Sequence, residues 1–315
     1  MKRLSLAAAA TFYLQRRRRL GFALRETGLL LASLVRYGRQ SHRRGPLTTA
    51  WVNAWAQQAP TARGSARRLQ VARQFARFWT LFDPRTQIPP EGRFGPAPRR
   101  RAVHIYSAAE IIDLLQAARR LSVPHSVAPD TLRALLGLLA CTGLRISEAL
   151  ALRLSDWDSA EAVLTVRRSK FGRSRHVPLL PTAAHALDRF LQARPKTRAA
   201  ATQSDAIFQN KRGQPLTYLP AQRAFAALCT QLRWNQSPKP RLHDLRHTFA
   251  VRCLCGWYRI GEHELNTKVL ALAVYLGHRD IRHTYWYLSA VPELLALALA
   301  RRDSPRTTRK GASHA

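Results

Sequence analysis

The amino-acid sequence predicts a mainly α-helical protein of two domains, with a small antiparallel β-hairpin or sheet set into the larger one. Three observations carry this. Apolar side chains recur at helical spacing through most of the chain. Pro84, Pro89, Pro90, Pro96 and Pro98, with Gly92 and Gly95, crowd one stretch at a density that no helix or central strand tolerates. The period changes only once, between Val163 and Leu180, where β-branched residues flank a polar tip containing Gly172. At 315 residues the chain is long enough to bury two cores. The expected division is a helical domain over 1–85, a Pro-rich linker over 86–102, a second domain over 103–302, and a basic, disordered tail over 303–315.

The first residues resemble an export signal, because Lys2 and Arg3 precede an apolar run from Leu4 to Ala10. Arg16 to Arg19 follow at once, and Tyr13, Leu14, Leu20 and Phe22 continue a helical pattern, so the start of a folded domain is expected. Leu20, Leu24, Leu31, Leu34 and Val35, then Leu69, Phe75, Phe78, Trp79 and Phe82, extend that pattern with no hairpin signal between them. Their outer faces are rich in Arg. Past the linker, Ser107-Ala108-Ala109-Glu110 has the form of a capping box opening a helix to about Leu121. Thr131 to Cys141 reads as a helix stopped by Gly143, and Ile146 to Leu152 as another. Val163, Thr165 and Val166 pair with Arg175 to Leu180 across the tip Ser169 to Ser174. Helices are expected near 182–193, 219–232, 243–255, 266–276 and 291–301. Trp51, Trp55, Trp79, Trp157, Trp234, Trp257 and Trp286 are assigned to cores or helix contacts.

The charge narrows the function. Lys and Arg number 52 against 18 Asp and Glu, a formal net charge of +34. Residues 1–101 carry 21 basic and 3 acidic side chains, so the smaller domain is the more densely charged. Such a surface attracts polyanions, which makes nucleic acid the leading partner and small neutral substrates poor candidates. Cys141, Cys229, Cys253 and Cys255 fit neither a disulfide framework nor a metal knuckle. The longest later apolar run, Leu29 to Val35, is far too short to span a bilayer. A reducing cytoplasm and no membrane partner are expected.

Several motifs then fall in order. His243 and Arg246 are three apart in a helical stretch, so both side chains leave one face and present positive charge to an anion. Arg145, in Thr142-Gly143-Leu144-Arg145-Ile146-Ser147-Glu148, is a cation among Leu, Ala and Ile. It needs Glu148 to orient it and an anion beside it. Lys170 stands at the hairpin tip. Leu276-Gly277-His278 ends an apolar helix, and Tyr287 follows His278 by nine residues.

Taken together these motifs resemble the tyrosine recombinases, the phage integrases and Xer-type recombinases among them. The T-G-L-R-x-S-E segment matches Arg145. A hairpin lysine ahead of an R-x-V-P-L strand matches Lys170 with Arg175 to Leu179. The H-x-x-R box matches His243 and Arg246, the L-G-H box matches His278, and the nucleophile's position matches Tyr287. The likeness covers about residues 102–302. Tyr285-Trp286-Tyr287-Leu288 and Val291-Pro292-Glu293-Leu294-Leu295 further resemble a mobile-element subgroup whose recombinases are encoded side by side. A second His often follows the family's tyrosine by two residues; here that position is Ser289.

The resemblance implies an N-terminal core-binding domain, which contacts DNA, joined to a tyrosine-recombinase catalytic domain. It implies a nucleoid-associated enzyme clamped on double-stranded DNA, acting as a homo-tetramer or with related recombinases. Its catalytic set would be Arg145, Lys170, His243, Arg246, His278 and Tyr287. Attack by a tyrosine oxygen on a DNA phosphate gathers negative charge on the non-bridging oxygens, which permanently protonated guanidinium forks can meet. No metal and no cofactor are then expected. The departing 5′-oxygen needs a proton, which the resemblance assigns to Lys170. The face of Leu294, Leu295 and Leu297 is expected to pack on a neighbouring protomer. A type IB topoisomerase, and an accessory DNA-binding member without catalysis, stand as alternatives.

Overall fold

The computed structural model describes residues 5–42, 45–95, 102–121, 127–167, 174–194, 204–260, 264–277, 280–281, 284–285 and 294–297. The chain divides into two compact units, Met1–Arg100 and Arg101–Ala315.

Among the described residues the first unit holds the helices α1 (Leu6–Arg19), α2 (Arg25–Gln40), α3 (Thr49–Gln57) and α4 (Ala62–Trp79). Ser5 and Thr61 cap α1 and α4, their hydroxyls accepting the N–H of Ala8 and Gly64 and so satisfying donors that the first turn leaves unpaired. Leu31, Leu34, Val52, Trp55 and Phe75 are fully buried between the helices. Arg16, Arg18 and Arg19 remain exposed on α1.

The apolar spacing misled at one place. Leu20 and Leu24 are not part of a helix face: α1 stops at Arg19, Gly21 takes φ +84°, Leu24 is left-handed, and Leu20 is 67% exposed. Spacing alone does not register a glycine that turns the chain. The segment 86–95, expected as linker, is tied to this unit. The Gln87 N–H donates to the Leu47 carbonyl, its side chain accepts from Thr49 N–H, and Phe94 packs on the core.

In the second unit α5 (Ala108–Arg120) opens with the reciprocal capping box, Ser107 Oγ accepting from Glu110 N–H at 3.1 Å and Glu110 Oε2 accepting from Ser107 N–H at 2.7 Å. Next comes α6 (Pro129–Thr142), whose Leu132, Leu135, Leu136 and Leu139 are buried in the main core. The expected helix to Leu152 is only a turn, α7 (Ile146–Ala149). Leu152, Arg153 and Leu154 leave it because they pair their backbone with Asp205 to Ile207. A 3-10 turn at Leu154–Asp156 leads into β1 (Trp157–Asp158), β2 (Val163–Val166) and β3 (Arg175–Pro178), an antiparallel sheet in that order. Leu164 stands opposite Val177 and Val166 opposite Arg175. Alternation turns Leu164, Val166 and Val177 into the core. The two-residue β1 is too short to show a period. Then come α8 (Pro181–Gln192), α9 (Tyr218–Gln231), α10 (Leu242–Arg259) and α11 (Leu265–Leu276).

A separate cluster joins Ala250, Val251 and Leu254 of α10 to Val269, Leu272 and Leu276 of α11. Leu294 is fully buried in that cluster and Leu297 packs against it, whereas Leu295 is 45% exposed. This corrects the expectation of one leucine face given to a neighbouring protomer. The α10 and α11 side chains supply an apolar surface within the same unit, and it takes up two of the three leucines. Trp55 and Trp79 are buried, and Trp51, Trp157, Trp234 and Trp257 are partly buried against their cores. Among the described residues no helix is long and apolar enough to cross a membrane. The tail over 303–315 and Trp286 lie outside the described residues.

Gly143 ends α6 at φ +61°, where a Cβ would fall 2.5 Å from Cδ1 of Phe249 on α10. Gly143→Ala should therefore lower stability by about 2 kcal/mol or more, since the left-handed conformation alone costs roughly 1–2 kcal/mol. Urea denaturation of the two proteins measures this, and an unchanged midpoint would contradict it.

Candidate active site

Arg145 is the N-cap residue of α7, and Glu148 closes the same turn. The Glu148 carboxylate accepts from the Arg145 backbone N–H at 3.1 Å and from its Nη1 at 2.7 Å. Arg246 leaves the second turn of α10 and is 3% exposed. Its Nη1 donates to the Gly143 carbonyl at 2.8 Å and its Nη2 to the Leu276 carbonyl at 2.7 Å. Arg145 Nη2 donates to the next carbonyl, Gly277, at 2.9 Å. The two guanidinium groups, 101 residues apart in sequence, are thus gripped by adjacent carbonyls at the end of one helix.

A third arginine completes the grip. Arg175 of β3 donates from Nε to the Tyr275 carbonyl at 2.6 Å, and from Nη1 and Nη2 to Glu148 at 3.2 and 2.8 Å. Tyr275, Leu276 and Gly277 each accept from a different arginine. The C-terminal end of α11 suits this, because its last carbonyls lack helical partners and carry the negative end of the helix dipole. Gly277 is required here. Its φ is +66°, and a Cβ would lie 3.1 Å from Arg175 Nη1 and 3.5 Å from Arg145 Nη1.

Glu148 is nearly inaccessible, at 5% side-chain exposure. Burial by itself would raise its pKa. The hydrogen bonds and charge of Arg175, and then the charge of Arg145, outweigh this and hold the carboxyl below the usual range, so it is ionised at neutral pH. That one carboxylate serves two guanidinium groups, those of Arg145 and Arg175. The cluster keeps a surplus of positive charge, partly withdrawn from water, and an anion such as a phosphodiester can meet it.

His243 stands in the first turn of α10, three residues before Arg246, with its ring edge-on to His247 at 4.7 Å between centroids. Its ring is exposed to solvent on one side and packed by neighbouring protein atoms on the other. That partial dehydration lowers its pKa below the ordinary histidine value. Arg246, Arg145 and Arg241 act in the same direction, and Asp244 opposes them. The neutral imidazole is therefore favoured at pH 7. Asp244 itself is fully buried and paired with Arg241, Oδ1 to Nη2 at 2.8 Å. This fixes the start of the helix that carries His243 and Arg246.

Of the six residues singled out from sequence, Arg145, His243 and Arg246 come together in this way. Lys170, His278 and Tyr287 lie outside the described residues. In the sequence Arg175 belongs to the strand motif and not to the six. Its signal was available, since it shares a strand face with buried Val177 and a cation on a core-facing position demands partners. The carbonyls of Tyr275 to Gly277 had no signal, because every residue has a carbonyl.

The phage integrase family model matches residues 106–293. The chain is 39% identical over 300 residues to y4rB of Sinorhizobium fredii (strain NBRC 101917 / NGR234), named as an integrase/recombinase, covering 92% of this chain and 94% of that protein. It is 35% identical over 196 residues to the tyrosine recombinase XerD of Mycobacterium tuberculosis, covering 61% of this chain and 58% of XerD. Among solved structures, the Tn1549 transposon integrase in complex with circular intermediate DNA superposes with a TM-score of 0.66 at 18% identity. It covers 93% of this chain and 99% of that one.

The histidine makes a direct prediction. In an NMR titration the His243 ring protons should report a midpoint below the ordinary histidine value of about 6.5. A midpoint at or above that value would contradict the crowded, cation-flanked environment.

Proposed function

Because the chain belongs to the phage integrase family, whose tyrosine recombinases cleave and rejoin DNA, we propose that it is the site-specific recombinase of a mobile element. We propose also that it works through a covalent 3′-phosphotyrosine on Tyr287. One observation supports this above the rest. Arg145 and Arg246, with His243 on the same helix as Arg246, are held by backbone carbonyls around one helix end, where Arg145 and Arg175 outnumber the single Glu148 carboxylate between them.

In this reading Arg145 and Arg246 bind the non-bridging oxygens of the scissile phosphate, and their preset forks stabilise the charge that gathers there during attack. Tyr287 Oη forms a bond to phosphorus as the bond to the DNA 5′-oxygen breaks. Lys170 gives that oxygen its proton, and the tyrosine proton passes to a neutral imidazole, for which His243 is suited. His278 hydrogen-bonds the phosphate. The phosphotyrosine conserves the phosphodiester bond energy, so a 5′-hydroxyl from a second strand reverses the step on a new partner without ATP.

Double-stranded DNA is the substrate. Both units would bind it, the exposed arginines of α1 contributing counterion release. Recombination requires more than one protomer at a synapse, either four copies of this chain or a set of related recombinases, in the cytoplasm at the nucleoid. The transposon integrase likeness and the y4rB relative favour a mobile-element role over a type IB topoisomerase. The leucines after Tyr287 no longer bear on that choice, since Leu294 packs within its own unit.

Two measurements test the assignment, using nicked duplexes from the ends of the element that encodes the protein. Tyr287→Phe should abolish the covalent adduct while DNA affinity stays within about twofold, because one hydroxyl adds little to a counterion-driven interface. An adduct mapped to Tyr285 would overturn the choice of nucleophile. Lys170→Ala should slow cleavage by roughly 100-fold or more on normal DNA, the usual size of a general-acid contribution. It should act far less on DNA with sulfur at the 5′-bridging position, because sulfur leaves without a proton. Equal defects on both would remove Lys170 from that role.

A further inference from the structure

Arg175 has no part in the reaction just described, yet it is built into the same site. Its side chain is 11% exposed. Three of its N–H groups go to Glu148 and Tyr275, and it packs against the αL turn at Gly277. Glu148 has no capacity left. Oε1 accepts from Nη1 of both Arg145 and Arg175, and Oε2 accepts from Arg175 Nη2 and the Arg145 backbone, which fills the four lone-pair sites of a carboxylate.

Charge counting shows what this sharing does. With Arg145 alone, Glu148 would form a neutral pair, and an anion arriving at Arg145 would meet the carboxylate's repulsion almost in full. With Arg175 added, the trio holds one net positive charge, and Arg145 stays oriented by Glu148 without being neutralised by it. A strut joining β3 to α11 could have been made from neutral groups; a cation here changes the electrostatics as well as the packing.

We propose that Arg175 is a positioning and charge-balancing residue for strand cleavage: by taking half of the Glu148 carboxylate it leaves Arg145 aimed at the phosphate with its charge intact. This rests on the reading in which Arg145 binds the scissile phosphate. In this role Arg175 acts through Glu148, to which two of its N–H groups are committed.

The test compares full-length variants on a nicked suicide duplex with which the wild-type protein forms its covalent complex, with melting temperature and DNA affinity measured alongside. Arg175→Met should slow adduct formation about 100-fold, the scale of losing one preset transition-state donor. Combining it with Glu148→Gln restores the net charge of the trio and should recover at least about tenfold of that loss, a coupling that a double-mutant cycle reads directly. Arg175→Lys keeps the charge without the fork and should stay within about tenfold of wild type. A double variant no faster than Arg175→Met, or an Arg175→Met rate equal to wild type, overturns the proposal. If Arg175→Met fails to fold, Arg175→Lys decides, and a folded, DNA-binding Arg175→Lys protein slowed about 100-fold overturns it equally. Arg145→Ala in the same assay separates the two readings: if it cleaves at the wild-type rate, the role of Arg145 itself fails, whatever the Arg175 variants do.

Discussion

Three consecutive carbonyls at the end of α11 hold three arginines that come from different parts of the chain. Tyr275 takes Arg175 from the sheet, Leu276 takes Arg246 from α10, and Gly277 takes Arg145 from the turn after α6. Like charges would ordinarily drive such groups apart. They stay because a helix end offers oriented partial negative charge that cannot titrate or be neutralised by an incoming phosphate. Among the described residues, Glu148 is the one carboxylate paired with Arg145 and Arg175. The arginine cluster is therefore held in place and cationic without DNA.

The hydrophobic packing serves this arrangement. The position of α11 depends on Val269, Leu272 and Leu276 seating against Ala250, Val251 and Leu254 of α10, with Leu294 closing the cluster. The position of α7 depends on α6, whose leucines are buried in the main core. Gly143 joins the two. Its left-handed turn lets the chain pass close over Phe249, and its carbonyl meets Arg246. Shifting either helix by about 1 Å would spoil hydrogen bonds whose useful range is about 2.7–3.2 Å.

Much of the fold was legible in the sequence because it is local. The capping box at Ser107, the stop at Gly143, the hairpin strands and the later helices follow from residue order and period, and α5, α6 and α8 to α11 fall within a few residues of expectation. The failures share a cause. Leu20 and Leu24 fit a helical period that a glycine turn interrupts, and α7 ends early because distant residues, Asp205 to Ile207, compete for its backbone. Leu294 and Leu297 showed an apolar face but not which surface would cover it.

The site divides in the same way. Which residues carry charge, the i to i+3 pairing of His243 with Arg246, and the orienting role of Glu148 could be read directly, since spacing on a turn fixes which side chains share a face. The order of the motifs also sufficed to indicate the family. Sequence could not reveal that the L-G of the L-G-H motif is an arginine cradle, or that Arg175 shares Glu148 with Arg145. Those contacts run between backbone carbonyls and side chains separated by as many as 132 positions. A carbonyl has no letter of its own in the sequence, so only the packing of α11 against α10 and β3 decides which carbonyls meet which cations.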